Sequence, residues 1–315
     1  MPTFTVFKGD KSGAPKKSTT TRPDALKGDQ VFIRITASGV CGTENEADKT
    51  QKSADMVLGH EGVGVVEEVG PECKQCLTGR ETHCPERAMY AMADLDQGSF
   101  GSHAVWKEAF LFKIPDGLSD EAAAPMQCGG ATVFQALRGY NTQSTETVGI
   151  MGVGGLGHFA IQFAAKMGCR VVVLSGTESK RDEAIKLGAH EFVATRDKEE
   201  LKVSHPLNRL LVTTSAQPNW DQIIPIMAPG GYIYPLTVAA GDFKIPYMGL
   251  LLNGLTVQGS LVAPRHIHKE MLEFAALHKI EPVVETFPMT EEGIKEAMER
   301  LEQGKVHFRA VLKSE

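Results

Sequence analysis

Up to about residue 118 the chain reads as short strands broken by turns. The stretches "TFTVF", "DQVFIRITASGV", "EGVGVVEEVG", "SFGSHAVW" and "AFLFKIP" alternate or run apolar between Gly, Pro, Asp and Asn, which predicts a β-rich first domain over residues 1–127. Around residue 119 the texture turns helical in "SDEAAAPMQCGGATVFQALRGY", where Ser119 suits an N-cap and Asp120 and Glu121 place negative charge in the first turn. Ala122 stands three residues after the cap, so a full capping box is absent. From Thr147 strands and helices alternate: "TVGIMG", "LGHFAIQFAAKMG", "CRVVVLSG", "SKRDEAIKLGA", then strands at "HEFVAT", "RLLVTTS", "GYIYPLTV" and "LTVQGSLV". Buried strands alternating with helices predict an α/β domain, a doubly wound parallel sheet covered on both faces, over residues 128–264. The last segments, "RHIHKEMLEFAALHKI", "PVVETFPM", "TEEGIKEAMERLEQGK" and "VHFRAVLKS", mix helix and strand, and residues 265–315 are assigned to completion of the first domain.

The junction of the first strand and helix of the α/β part carries the strongest local motif. In "VGIMGVGGLGHFAIQF", Gly152 suits a tight turn, Gly154 lets a pyrophosphate approach the backbone, and Gly157 permits close packing of helix on strand. Gly155 and Leu156 complete the turn, and the free N–H groups of the following helix face the phosphate. A glycine-rich turn alone would mean little. Here the flanking strand and helix, and a second strand about 20 residues on, make it a dinucleotide fingerprint. That second strand ends in Ser175 where an NAD site carries an acid, and Gly176, Thr177, Ser179, Lys180 and Arg181 follow, with Glu178 the one nearby carboxylate. Hydroxyl donors and cations suit a 2′-phosphate, so the cofactor expected is NADP(H) rather than NAD.

Composition narrows the function without changing this picture. The 315 residues carry a formal net charge of −6 and no basic stripe, which argues against a nucleic-acid surface and for small-molecule chemistry. No cationic and apolar leader and no bilayer-length apolar run is visible, and a cytoplasmic protein without membrane contact is expected. In a reducing compartment the six cysteines are ligands, buried apolar residues or reactive thiols sooner than disulfides. Cys41 in "SGVCGTENE", His60 and Glu61 in "LGHEGVG" and Cys128 in "PMQCGG" are each weak alone. Together two thiolates and an imidazole form the ligand set of a catalytic zinc with an open fourth position. Cys169 has no such context and reads as core. Cys73, Cys76 and Cys84 in "ECKQCLTGRETHC" offer three thiols where a structural zinc takes four ligands.

Taken together, "GVCGT", "GHEGVGVVEEVG", "CKQCLTGRETHC", "GSFGSHAVW", "FKIPDGLSDEAAAPMQCGG", "GVGGLGH" and "QGSLV" resemble the zinc-dependent medium-chain alcohol dehydrogenase superfamily over nearly the whole chain, in its cinnamyl-alcohol-dehydrogenase-like, NADP-dependent branch. The resemblance implies a GroES-like catalytic domain beside a Rossmann domain, and a homodimer through the last sheet strand. It implies reversible, zinc-assisted reduction of an aldehyde to a primary alcohol. It assigns Cys41, His60 and Cys128 to the catalytic zinc, Glu61 as an alternate or indirect ligand, and Thr43 as the hydroxyl that passes the substrate proton. Two departures stand out. Glu46 occupies the position where many relatives carry a proton-relay histidine, and Glu72 runs directly into Cys73 where the family has a further strand and the first structural-zinc cysteine. The shortfall is a deletion, a segment missing from the sequence, or a local failure of the likeness; the second is preferred, because removing a strand from a barrel exposes unpaired backbone. The rival readings are a zinc-independent quinone or enone reductase of the same superfamily, and a catalytically impaired NADP-binding protein.

Overall fold

The computed structural model describes residues 3–9, 14–26, 30–41, 56–69, 81–83, 89–90, 92–239 and 241–314. It divides into two compact units, Met1–Cys128 with Pro264–Glu315, and Gly129–Ala263.

In the first unit β1 (Thr3–Gly9) pairs antiparallel with β2 (Pro15–Thr21). β3 (Gln30–Val40) is its central strand and pairs antiparallel with both β4 (Glu61–Val69) and β5 (His103–Lys107). "AFLFKIP" forms no strand: Glu108–Phe110 make a short 3-10 turn, and the segment then runs to Pro115 without joining the sheet. α1 (Asp120–Pro125) starts as the sequence suggests, the Ser119 hydroxyl accepting from the Ala122 N–H at 3.2 Å. Its Ala123 and Ala124 are fully buried against Ala37, Val63 and Val311. Helical pitch then widens to a π turn over Met126–Gly130, which holds Cys128. Such turns are concentrated at functional sites, because they displace one residue out of the regular spiral.

The second unit begins with α2 (Ala131–Phe134) and holds six parallel strands: β6 (Thr147–Met151), β7 (Arg170–Ser175), β8 (Glu191–Ala194), β9 (Leu207–Val212), β10 (Met227–Pro235) and β11 (Thr256–Val257). They lie in the order β11-β10-β9-β6-β7-β8. Chain order therefore reverses between β6 and β9, the topological switch point at which a doubly wound sheet binds dinucleotides. All five positions of β6 are buried, as a strand covered on both faces requires. The helices following these strands are α3 (Gly157–Lys166), α4 (Arg181–Leu187), α5 (Trp220–Ile223) and α6 (Tyr247–Asn253). "LTVQGSLV" contributes only two ladder residues, Thr256 and Val257, and β11 has one neighbour, β10.

The chain then returns to the first unit through α7 (Arg265–His278), β12 (Val284–Pro288), α8 (Glu291–Glu302) and β13 (Arg309–Lys313). β13 lies parallel to β12 and antiparallel to β3, so this last strand is laid directly beside the strand that leads into Cys41. Among the described residues no helix is long and apolar enough to cross a membrane.

Candidate functional site

Strand register brings the candidate metal ligands together. Glu61, the first residue of β4, pairs with Gly39 of β3, so Cys41 just beyond β3 and His60 just before β4 emerge at the same end of the ladder. Cys128 reaches them from the π turn after α1. The ligand atoms of Cys41, His60, Glu61 and Cys128 all lie within 4.8 Å of one another. Ligand atoms held tetrahedrally at about 2.0–2.3 Å from one zinc lie about 3.3–3.8 Å apart, so the cluster closes around an ion by a contraction of about 1 Å. The charges fit as well. Two thiolates balance a divalent cation, while Glu61 is balanced separately by Arg309.

That ion pair was not foreseen in the sequence. Arg309 opens β13, and the pairing of Ala310 with Val40 sets it level with Cys41. Its Nη2 donates to both carboxylate oxygens of Glu61, and both side chains are buried. Gly39 is what permits the contact, since a Cβ built there would sit 1.8 Å from Glu61 Oε2. Burial opposes the charge on Arg309, but Glu61 and the two thiols raise its pKa above the ordinary arginine range. A hydrogen bond from Cys128 pulls the Cys41 thiol well below its usual range against burial, with His60 and Arg309 assisting. The same hydrogen bond, together with burial and the charge on Cys41, pushes the Cys128 thiol well up. The two shifts run in opposite directions, so Cys41 is the thiol of the pair that gives up its proton first, with Cys128 as the donor to it.

Two further contacts brace the ligands. Tyr90 Oη accepts from the Gly59 N–H at 2.6 Å, and its ring centre lies 4.8 Å from that of His60. Next to Cys128, Gln127 Nε2 donates to the Ala123 carbonyl at 2.9 Å while Gln127 Oε1 lies 2.9 Å from His268 Nε2. An amide oxygen only accepts, so His268 carries its proton on Nε2. His268 stacks on Phe112 at 4.2 Å, and burial lowers its pKa to about 4, leaving the ring neutral. Thr43, Glu46, Cys73, Cys76 and Cys84 lie outside the described residues.

In the second unit the glycine turn follows β6. Gly152 has φ +96°, and a Cβ on Gly157 would lie 1.9 Å from the Gly152 carbonyl oxygen, so the turn and the helix contact require these two glycines. A Cβ on Gly154 would meet nothing within 4 Å; protein packing does not call for a glycine there, whereas a closely approaching pyrophosphate would. Thr213, at the end of β9, donates through Oγ1 to the Met151 carbonyl at 2.7 Å and ties down the switch point. At the end of β7, the carbonyl of Ser175 accepts from the Thr195 N–H at 2.8 Å, and Thr177 and Ser179 exchange a hydroxyl bond at 2.9 Å. Lys180 Nζ reaches back to the Val153 carbonyl at 2.7 Å, and burial lowers its pKa. Arg181 Nε donates to Glu178 at 2.5 Å, so Glu178 faces an arginine. Cys169 is buried, with burial pushing its thiol up to about 11, as a core residue should be.

A family model described as "Zinc-binding dehydrogenase" matches residues 155–277, and one described as "Alcohol dehydrogenase GroES-like domain" matches residues 27–116. An alcohol dehydrogenase of Geobacillus stearothermophilus is 32% identical, the alignment covering 93% of each chain. The chain belongs to the zinc-dependent medium-chain alcohol dehydrogenases. Within that family, a probable cinnamyl alcohol dehydrogenase of Oryza sativa subsp. japonica is 32% identical over 91% of this chain and 90% of its own. The structure of a cinnamyl alcohol dehydrogenase from Sorghum bicolor superposes with a TM-score of 0.86 at 27% identity, covering 99% of this chain and 98% of that one. As a medium-chain alcohol dehydrogenase the protein is an oxidoreductase, of a family that works with a nicotinamide cofactor and zinc on small alcohols and aldehydes.

Proposed function

We propose that the protein is an NADP-dependent, zinc-assisted alcohol dehydrogenase that reduces an aldehyde to a primary alcohol and runs reversibly. The observation that carries this reading is the convergence of Cys41, His60, Glu61 and Cys128 within 4.8 Å. Cys41, His60 and Cys128 would hold the ion, with Glu61 as the alternate ligand kept in reserve by Arg309. The ion supplies a Lewis acid that polarises the carbonyl, and the reduced dinucleotide supplies hydride. The chain's own contribution is to fix the thiolates, to hold the Glu61 charge beside them without exposing it to water, and to pass a proton through the Thr43 hydroxyl. Glu46 removes the usual histidine relay, so the proton leaves by another route. A zinc-independent quinone or enone reductase has no use for two thiolates and an imidazole at one point, which is why that rival is set aside.

Ser175, Gly176, Thr177, Ser179, Lys180 and Arg181 form the proposed NADP(H) site, with the glycine turn of Gly152, Gly154, Gly155, Leu156 and Gly157 on the pyrophosphate. The protein is read as cytoplasmic, without a nucleic-acid partner. A homodimer through β11 is supported by exposed apolar residues there, Val257 on the strand and Tyr247, Leu251 and Leu252 on α6. Sedimentation should give twice the chain mass, and a monomer at micromolar concentration would refute the pairing. Function is tested by following NADPH and NADH oxidation in parallel across a panel of aldehydes, with zinc counted per chain. Oxidation of NADPH that requires zinc supports the reading, and failure with every aldehyde overturns it.

A further inference from the structure

Three cations follow or flank the end of β7, and the structure distinguishes them. Arg181 is committed to a near neighbour: its guanidinium donates to Glu178 at 2.5 and 3.1 Å and lies 5.0 Å from the centre of the Phe192 ring. Lys180 spends its ammonium on the Val153 carbonyl inside the glycine turn. Arg196 differs. It follows β8, and its backbone N–H donates to the Gly176 carbonyl at 3.1 Å, which fixes it beside the residue next to Ser175. A Cβ built on Gly176 would lie 3.7 Å from Arg196 Nη2, so the guanidinium lies in ordinary contact distance over the place where a larger residue would stand. The side chain is exposed, and among the described residues no carboxylate is bonded to it. Lys198, two residues on, acts on Glu178 only through its field.

We infer that Arg196 is the principal cation for the 2′-phosphate of NADP(H), a specificity-determining role for a residue outside the Ser175–Arg181 segment. This rests on the NADP reading above. The end of the second strand is where an acid would hold the ribose hydroxyls of NAD and where a nearby arginine accommodates the added phosphate. A guanidinium presents a planar pair of N–H donors that matches two phosphate oxygens, and Gly176 leaves room for the phosphate to reach it. Glu178 would repel that phosphate if left bare. Arg181 neutralises it, so the two arginines divide the work: one cancels a carboxylate, the other receives the ligand.

The test is calorimetric titration of the full-length protein with NADPH, NADH, adenosine 2′,5′-bisphosphate and 5′-AMP, so that no turnover is needed. For Arg196→Gln the expected result is at least a tenfold loss of affinity, about 1.4 kcal/mol, for NADPH and for adenosine 2′,5′-bisphosphate. NADH and 5′-AMP should change less than twofold, Arg196→Lys should restore part of the loss, and Arg181→Gln should weaken NADPH less than Arg196→Gln does. A wild type that prefers NADPH, with Arg196→Gln keeping that preference, overturns this inference and leaves the NADP reading intact. Equal losses for NADPH and NADH would also overturn it, since the phosphate would then not be the group recognised. A wild type that binds NADH as tightly as NADPH overturns the NADP reading and this inference with it.

Discussion

Arg309 and Glu61 meet across Gly39, and their burial makes the pair costly to break from one side only. Arg309→Met leaves a carboxylate buried without its counter-charge, for which the expected cost is about 3–5 kcal/mol in chemical denaturation. Adding Glu61→Gln to Arg309→Met should recover most of it, and a single-variant loss under about 1 kcal/mol would contradict the ion pair's role. His268 supplies a second residue-scale expectation. Its pKa falls from 6.5 to about 4 on folding because burial disfavours the charged ring, so in that window the unfolded chain holds the extra proton. Stability from this group is complete above about pH 6.5 and is lost as pH falls towards 4, by roughly 2 kcal/mol between pH 7 and 5. Measured on metal-free protein, His268→Gln should remove that part of the slope while keeping a donor for Gln127; an unchanged slope would refute it. The convergence of Cys41, His60 and Cys128 was legible because cysteines and a histidine beside glycines are conspicuous. Arg309, Gly39 and His268 were not, because each acquires its role from a strand or helix far away in sequence. A lone arginine in "VHFRAVLKS" was the available signal, since an arginine in an apolar strand must find a counter-charge if it is buried.

At the scale of elements, the segments with strong periodicity folded as read. The six-strand sheet and the helix after the glycine turn followed from continuous apolar runs and helical spacing. β2 escaped notice because "PKKSTTT" has no apolar face; it is a polar strand held by its ladder to β1 and by the Lys17 N–H donating to Glu291 of α8. The opposite failure befell "AFLFKIP", whose apolar residues cover other parts of the unit instead of joining the sheet. The π turn at Met126–Gly130 was invisible because pitch within a helix leaves no mark on hydrophobic period. The glycine turn carries the element-scale prediction. Gly154→Ala should fold with unchanged stability, a Cβ there meeting nothing within 4 Å, yet bind NADPH at least tenfold more weakly. Unchanged binding by calorimetry would mean that no pyrophosphate approaches this turn.

For the whole molecule, each unit contributes one half of the proposed chemistry. The first unit gathers the candidate zinc ligands at the meeting of β3, β4, β13 and the turn after α1, and the second carries a dinucleotide fold with its switch point at β6 and β9. The long return of the chain through β13 gives the first unit its buried arginine, which explains why a strand at the C-terminal end belongs with the ligands near its beginning. The most direct test of zinc-assisted aldehyde reduction is the rate of NADPH oxidation with an aldehyde from the panel, before chelation, after complete removal of metal, and after Zn²⁺ is restored. The predicted result is one zinc bound by Cys41, His60 and Cys128 per chain, a fall in rate of at least a hundredfold on its removal, and recovery on its return. Undiminished aldehyde reduction by the metal-free protein would contradict the account.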